Sequence, residues 1–345
     1  MIDWTEPYTI DWSVVSVNPD TWDDASVLSG VKDLSIDRDC TDSVPLLETS
    51  SMTCDYEAIE DGWYRIIANV TQNGSYERVP IATQQFSVTN DEVDYGSFRI
   101  TAKGQSVLLP AQETYMRNGA YVPKGADGAY WVWEQLDRCI SAPVFILGSG
   151  FVLDTYVVYD SSDSVLSACW NVLDAASWCM QITGDGVVYI LEKPKEPVWE
   201  LDVEGLKLLK PSMKRTRGKA GVPNRYIARD GVKEEVAEND DPASPSSYRN
   251  VGRWIEVFDD NPSYVEGESL WTYARRKLEE LSTLTRTYDY TREFYPGIYP
   301  FGMIRGHSDD QGFVGDLRVA KQKLTLDKGI EVSETGVETE YLWRA

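Results

Sequence analysis

A single histidine, His307, bounds the chemistry this chain can carry. Multi-histidine zinc centres are excluded, and a serine–histidine–acid triad would have to use this one imidazole. His307 stands in Arg305-Gly306-His307-Ser308-Asp309-Asp310-Gln311-Gly312, a glycine-bounded polar run that reads as a solvated loop. No G-x-S-x-G elbow supplies a nucleophile to go with it. Acids gather at Asp37/Asp39/Asp42, Asp240/Asp241, Asp259/Asp260 and Asp309/Asp310, where they could hold a cation or act as the paired carboxylates of a glycosidase. None has the spacing of a twelve-residue calcium loop, and among 56 acidic residues such doublets arise by chance. Gly148-Ser149-Gly150 and Gly184-Asp185-Gly186 lack the third glycine and the β-α-β setting of a nucleotide loop. Cys40, Cys54, Cys139, Cys169 and Cys179 are odd in number and form no C-x-x-C pair, so they read as reduced thiols. No residue is assigned a catalytic, cofactor-binding or metal-ligating role, and the chain is expected not to be an enzyme.

The bulk properties agree. At 345 residues the chain is long enough for two or three domains. Its net charge of −23 argues against sequence-independent binding to duplex nucleic acid, which needs a basic footprint. One stretch opposes the trend: Lys207, Lys210, Lys214, Arg215, Arg217, Lys219, Arg225 and Arg229 form a basic run, read as a solvated loop or a contact to an acidic neighbour. Twelve Trp and twenty Tyr are many, and such side chains favour strands and interfaces. They also leave open a surface that stacks on sugar rings. The opening residues have no basic and apolar regions of a signal peptide, and no apolar run approaches the ~20 residues that span a bilayer.

The elements expected to carry these residues fall into three blocks. Residues 1–104 alternate in short strands, as in Gly62-Trp63-Tyr64-Arg65-Ile66-Ile67-Ala68, with Asn73-Gly74 as a hairpin turn. This spacing suggests a barrel or sandwich. In residues 105–195, Asp127 can open a helix whose stripe is Tyr130, Trp133, Leu136 and Ile140. Ser164 can cap a second one burying Leu166, Trp170 and Leu173, and a hairpin turning at 184–186 follows. This is a small α+β unit. Residues 196–345 return to β, with one helix over 267–282 whose apolar stripe is Leu270, Tyr273, Ala274, Leu278 and Leu281. Before it, Asn224-Arg225-Tyr226-Ile227-Ala228 reads as a strand. An insertion at 231–238 and a rigid polar loop, Asn239-Asp240-Asp241-Pro242-Ala243-Ser244-Pro245-Ser246-Ser247, then lead to the strand Arg253-Trp254-Ile255-Glu256-Val257.

In their order along the chain, several of these motifs resemble the hub proteins of phage tails. They are Pro223-Asn224-Arg225-Tyr226, the loop 238–245, Gly252-Arg253, the helix with Tyr273-Ala274-Arg275-Arg276, and the middle unit from Ala168 to Val187. Ser35-Ile36-Asp37-Arg38-Asp39 with Pro45-Leu46-Leu47-Glu48 is similar to the tail-tip variety. The resemblance implies a mainly β chain with an α+β insertion: two tube-like β-barrel domains, 1–104 and 196–345, flanking the unit 105–195. It implies a non-enzymatic homotrimer at the virion tail tip, made in the host cytoplasm. Its expected partners are the tail tube or distal tail protein, fibre, spike or tip proteins and the tape measure protein. The 231–238 insertion and the loop after it are expected to project from the ring. No cofactor, membrane span or specific nucleic-acid binding is implied, and no catalytic residue is carried over. The alternatives are a glycan-binding receptor-recognition module and a carboxylate glycosidase.

Overall fold

The structure is a computed structural model that describes residues 2–4, 6–40, 47–55, 59–88, 99–159, 161–197, 199–202, 214–217, 221–260, 262–308 and 313–344. The first block forms seven strands: β1 (Thr9–Val17), β2 (Asp24–Val27), β3 (Val31–Asp39), β4 (Leu47–Asp55), β5 (Gly62–Gln72), β6 (Ser75–Val88) and β7 (Arg99–Gln105). The middle holds α1 (Leu109–Glu113), β8 (Tyr121–Val122), α2 (Gly128–Asp137), β9 (Val144–Ile146), β10 (Val157–Val158), α3 (Val165–Ala175), β11 (Trp178–Ile182) and β12 (Val188–Glu192). The last block holds β13 (Trp199–Asp202), β14 (Lys214–Arg217), β15 (Arg225–Asp230), β16 (Lys233–Glu238), α4 (Tyr248–Val251), β17 (Glu256–Asp259) and α5 (Leu270–Leu281). It ends with β18 (Thr283–Glu293), β19 (Met303–Ser308), β20 (Phe313–Leu326) and β21 (Ile330–Tyr341). The chain is mainly β with an α+β unit between its two β blocks.

The two β blocks are joined edge to edge in one 13-stranded sheet, ordered β14-β18-β21-β20-β3-β4-β7-β6-β5-β1-β2, with β19 and β13 branching from β20. The long strand β20 makes the join. Its first half pairs with β19, and its second half, Lys321 to Leu326, pairs with β3. The handover follows an irregularity in its pairing with β21 between Val319 and Lys321, a place where one extra residue re-aims a strand. Among the described residues neither block closes on itself by strand pairing. The β5–β6 hairpin turns at Asn73-Gly74, both with positive φ (48° and 81°), as a two-residue turn requires.

In the middle unit both expected caps form: Asp127 accepts from the Tyr130 amide and Ser164 from the Ser167 amide. The expected stripe is buried at Leu136 and Ile140 and partly at Trp133, but not at Tyr130. Ala129, Val132 and Leu136 face the core, and Tyr130 stands 56% exposed, stacked on Trp133. On α3 the expected Leu166, Trp170 and Leu173 are buried. The β11–β12 hairpin gains a third strand, β9, parallel to β12.

The last block holds more than a barrel-like sheet with one helix. Residues 221–281 form a separate small unit in which β15 is flanked by β16 and β17, and α5 covers one face. Its core is Tyr226, Ala228, Ala237, Leu270, Tyr273, Ala274 and Leu278; Leu281, expected in the stripe, is exposed. The unit is an excursion between β14 and β18 of the large sheet. The segment 231–238 is the turn and second arm of the β15–β16 hairpin, with Val232 fully exposed at its tip.

Candidate functional site: a buried polar row at the sheet seam

Where the two β blocks meet, five side chains stand opposite one another across five strands: Tyr290 on β18, Glu334 on β21, Gln322 on β20, Arg38 on β3 and Glu48 on β4. Directly opposed residues share a sheet face, and all five are buried. Arg292, two residues beyond Tyr290 on the same face, donates from Nε and Nη2 to the Glu334 carboxylate at 2.9 and 2.6 Å. Gln322 Nε2 donates to Glu334 Oε1 at 2.7 Å, and Arg38 Nη1 donates to Gln322 Oε1 at 2.6 Å. Arg38 Nε then meets Glu48 Oε2 at 3.1 Å, and Gln84 Nε2 donates to Glu48 Oε1 at 2.7 Å. Ser50 donates to Gln84 and ends the chain of bonds. Burial alone would lower the pKa of the Arg292 guanidinium, but the Glu334 carboxylate outweighs it and the net shift is upward. Burial, then Glu334, push the Tyr290 hydroxyl well above its ordinary value.

This row crosses the sheet between two apolar clusters. Leu324, Leu326, Val332 and Phe294 lie on one side with the N-terminal core, and Tyr288, Leu317 and Val319 lie on the other. On the opposite sheet face, over the same strands, is a groove of about 760 Å³. Its charges are met internally, Lys321 by Asp39 at 2.6 Å and Lys323 by Asp37 at 3.7 Å, while Thr335 donates to Asp289 at 2.7 Å.

A second construction locks the middle unit onto this seam. The turn Gly184-Asp185-Gly186 enters the N-terminal sheet, where Thr83 donates to the Gly184 carbonyl at 3.0 Å. Trp22 Nε1 and Arg65 Nη2 donate to the Asp185 carbonyl at 2.7 and 3.1 Å. From the other block the Tyr299 hydroxyl accepts from the Gly184 amide at 3.2 Å, and Arg38 lies over the Tyr299 ring at 5.6 Å. The glycine pair has a mechanical purpose: a Cβ at Gly184 would lie 2.0 Å from the Pro80 carbonyl oxygen.

The polar loop after β16 is held from inside. Asn239 is fully buried and donates to the Ser244 and Ser246 hydroxyls at 2.8 and 3.1 Å. Asn224, also fully buried, accepts from the Ile255 amide at 2.7 Å and donates to the Arg253 carbonyl at 3.0 Å. Ser244 in turn donates to the Leu342 carbonyl at 2.7 Å. The loop therefore turns its asparagine and serines inward; Asp240 to Ala243 and Pro245 are exposed. Replacing Asn239 with alanine removes the donor to both serine hydroxyls and the acceptor of the Asp241 amide, and we expect a loss of about 2 kcal/mol, read from the urea midpoint, against a near-neutral Val232→Thr at the exposed hairpin tip.

The residues that could have done chemistry are absorbed by structure. Asp37 and Asp39 pair with lysines; Asp42, Asp309 and Asp310 lie outside the described residues. Asp240 forms a bidentate pair with Arg249, which lowers its pKa through that hydrogen bond. Asp241 caps the Ala243 amide, and Asp259 accepts from both Tyr226 and Tyr273. His307 lies in strand β19, opposite Val314, and not in a loop, because β19 extends through Ser308; Asp309 to Gly312 lie outside the described residues. Of the basic run, Lys214, Arg215 and Arg217 belong to strand β14 paired with β18. Arg225 meets Glu238 and Glu256, and Arg229 meets Glu234, so these are sheet residues and not a solvated loop; Lys207, Lys210 and Lys219 lie outside the described residues. All five cysteines are free thiols. Among the described residues no group of acids, cysteines or histidines could hold a metal ion, and no helix is long and apolar enough to cross a membrane.

One charged cluster missed in the sequence joins α3 to α5. Asp174 accepts from Lys193 at 2.7 Å and from Lys277 at 3.0 Å. Burial would raise the Asp174 carboxyl, but Lys277 and then Lys193 outweigh it and hold it down to about 2. The folded pKa lies below the unfolded one, so this contribution is fully present above about pH 4 and is lost as pH falls through 2. We expect the stability difference between the parent and Asp174→Asn to vanish at the acid end of a melting-temperature titration.

No protein-family model matches this chain, and no curated protein does. Solved structures do. A tail protein from Neisseria meningitidis MC58 superposes with a TM-score of 0.62 at 11% identity, covering 95% of this chain and 96% of its own. A prophage tail protein from Shewanella oneidensis gives 0.58 at 10%, covering 95% and 98%. A prophage tail protein from Listeria monocytogenes EGD-e gives 0.53 at 11%, covering 94% of each. Over nearly its whole length, the chain has the fold of these phage tail proteins.

Proposed function

We propose that this chain is a structural virion protein that forms the hub ring at the tail tip or baseplate, joining the tail tube to tip, fibre or spike proteins. The observation that carries the reading is the near-complete coverage of phage tail proteins in both directions, with the sheet, the middle unit and the last block all included. Three copies, each giving two β blocks, present six roughly alike surfaces to a six-fold tube, and each block acts as one tube-like domain. The seam row keeps the two blocks of a copy in one register, as a ring element needs, and the ring opens for DNA passage. The use of reactive side chains as internal ion pairs and caps supports a role in assembly over catalysis.

The middle unit supplies surface suited to such contacts. Tyr115, Tyr121, Tyr130, Tyr156 and Phe145 are each more than half exposed, and aromatic side chains of this kind are enriched where proteins meet. Native mass spectrometry of the chain mixed with its cognate tube protein tests the reading. A trimer, free or bound to tube protein, is expected; a persistent monomer with no tube complex contradicts it.

A further inference from the structure

The 221–281 unit is built as a separate body. Its apolar core is its own apart from Trp343, which packs against it from just beyond β21, and among the described residues α5 packs on β15 and β16. Its contacts with the middle unit are polar side-chain bonds and one short backbone bridge, Leu153 opposite Val265. Lys277 meets Asp174 at 3.0 Å, and Arg276 donates to the Ala175 carbonyl at 3.1 Å. Tyr264 and Glu266 exchange backbone bonds with Asp154 and Val152. Between the two bodies lies a cleft of about 350 Å³ whose walls include Tyr159, Asn171 and Asp174 on one side and Ser263, Tyr273 and Lys277 on the other.

The unit is strapped to the sheet at one narrow place. Helix α5 passes into β18 through the single residue Ser282. Ser282 is fully buried, its hydroxyl donates to the Pro223 carbonyl at 2.9 Å, and its carbonyl accepts from the Leu342 amide at 2.9 Å. Entry, exit and the end of β21 therefore meet at one point. A rigid body held by apolar packing inside, by polar bonds on one flank and by a one-residue junction on another has the parts of a hinge.

We infer that the 221–281 unit rocks as a rigid body about the Pro223–Ser282 strap, opening and closing the cleft against the middle unit, with the Asp174–Lys277 ion pair as its latch. The groups facing the latch are Lys193, Glu280 and Arg276, so its strength is set by a charge cluster that salt weakens. This inference does not depend on the tail reading, because it rests on contacts within one copy.

Electron-spin distance measurement on the full chain tests it, with labels at Asn171→Cys on α3 and Lys233→Cys on β16 in a Cys139→Ser background. One short, narrow distance is expected for the parent at low salt. Asp174→Asn, Lys277→Gln and ~1 M salt should each raise a longer-distance population by about fivefold, the scale of one partly exposed ion pair. Arg305→Gln, which breaks the exposed Arg305–Asp316 pair, should leave the distribution unchanged. Near-ultraviolet circular dichroism confirms that each variant is folded. An unchanged distribution in both latch variants and at high salt overturns the inference, as does equal broadening in Arg305→Gln.

Discussion

Glu334→Leu is expected to cost about 3–5 kcal/mol, because it strands the Arg292 guanidinium in the sheet interior. Arg292 and Glu334 are 1% and 0% exposed, so water cannot take over the lost bonds. Gln322 also loses an acceptor, although its amide keeps the Ile298 carbonyl at 3.1 Å. The double variant Arg292→Met with Glu334→Leu removes both charges and should recover most of the loss, since buried pairs seldom outperform well-packed apolar ones. Urea titration of the parent, the two single variants and the double variant closes this cycle. Recovery in the double variant assigns the row to register and not to net stability. A double variant as damaged as the singles means that Arg292 and Glu334 each do separate work.

Gly184→Val is the second large effect. The new Cβ would meet the Pro80 carbonyl oxygen at 2.0 Å and the Ile81 amide at 2.9 Å, both backbone atoms of a central strand that cannot give way. Relief requires the β11–β12 turn to withdraw, which breaks the bonds from Thr83, Trp22 and Arg65 together. We expect a loss of about 3 kcal/mol, with middle-unit amides exchanging faster than those of the large sheet. Gly329→Ala, where nothing lies within 4 Å and φ is ordinary, should stay within about 0.5 kcal/mol.

Much of the local structure was legible. Capping side chains at Asp127 and Ser164, the Asn73-Gly74 turn and the α5 stripe apart from Leu281 act through their own neighbours in sequence, and each formed. What escaped detection was β3, β4 and β21. Their inward positions carry Leu34, Ile36 and Arg38, then Glu48 and Ser50, then Ile330, Val332 and Glu334. A charge at an inward position breaks the apolar alternation by which a strand is recognised. Those same charges form the seam row, so the residues that join the blocks hid the strands that bear them. The strand over 224–228 and the polar loop 239–247 were legible. That Asn224 and Asn239 face inward was invisible, since a buried asparagine and a loop asparagine are the same letter. The Gly184-Asp185-Gly186 turn reads locally as a hairpin turn and no more. Its real use depends on Pro80, about a hundred residues away, and no local pattern reports that.

The tail reading rests on fold, so its most direct test is location. Gold-labelled antibody against this chain, applied to purified tails from the genome that encodes it, should mark one end of the tail only. Quantitative mass spectrometry of the same particles should count the chain in a multiple of three. Label spread along the tube, or a chain absent from purified particles, would contradict the account.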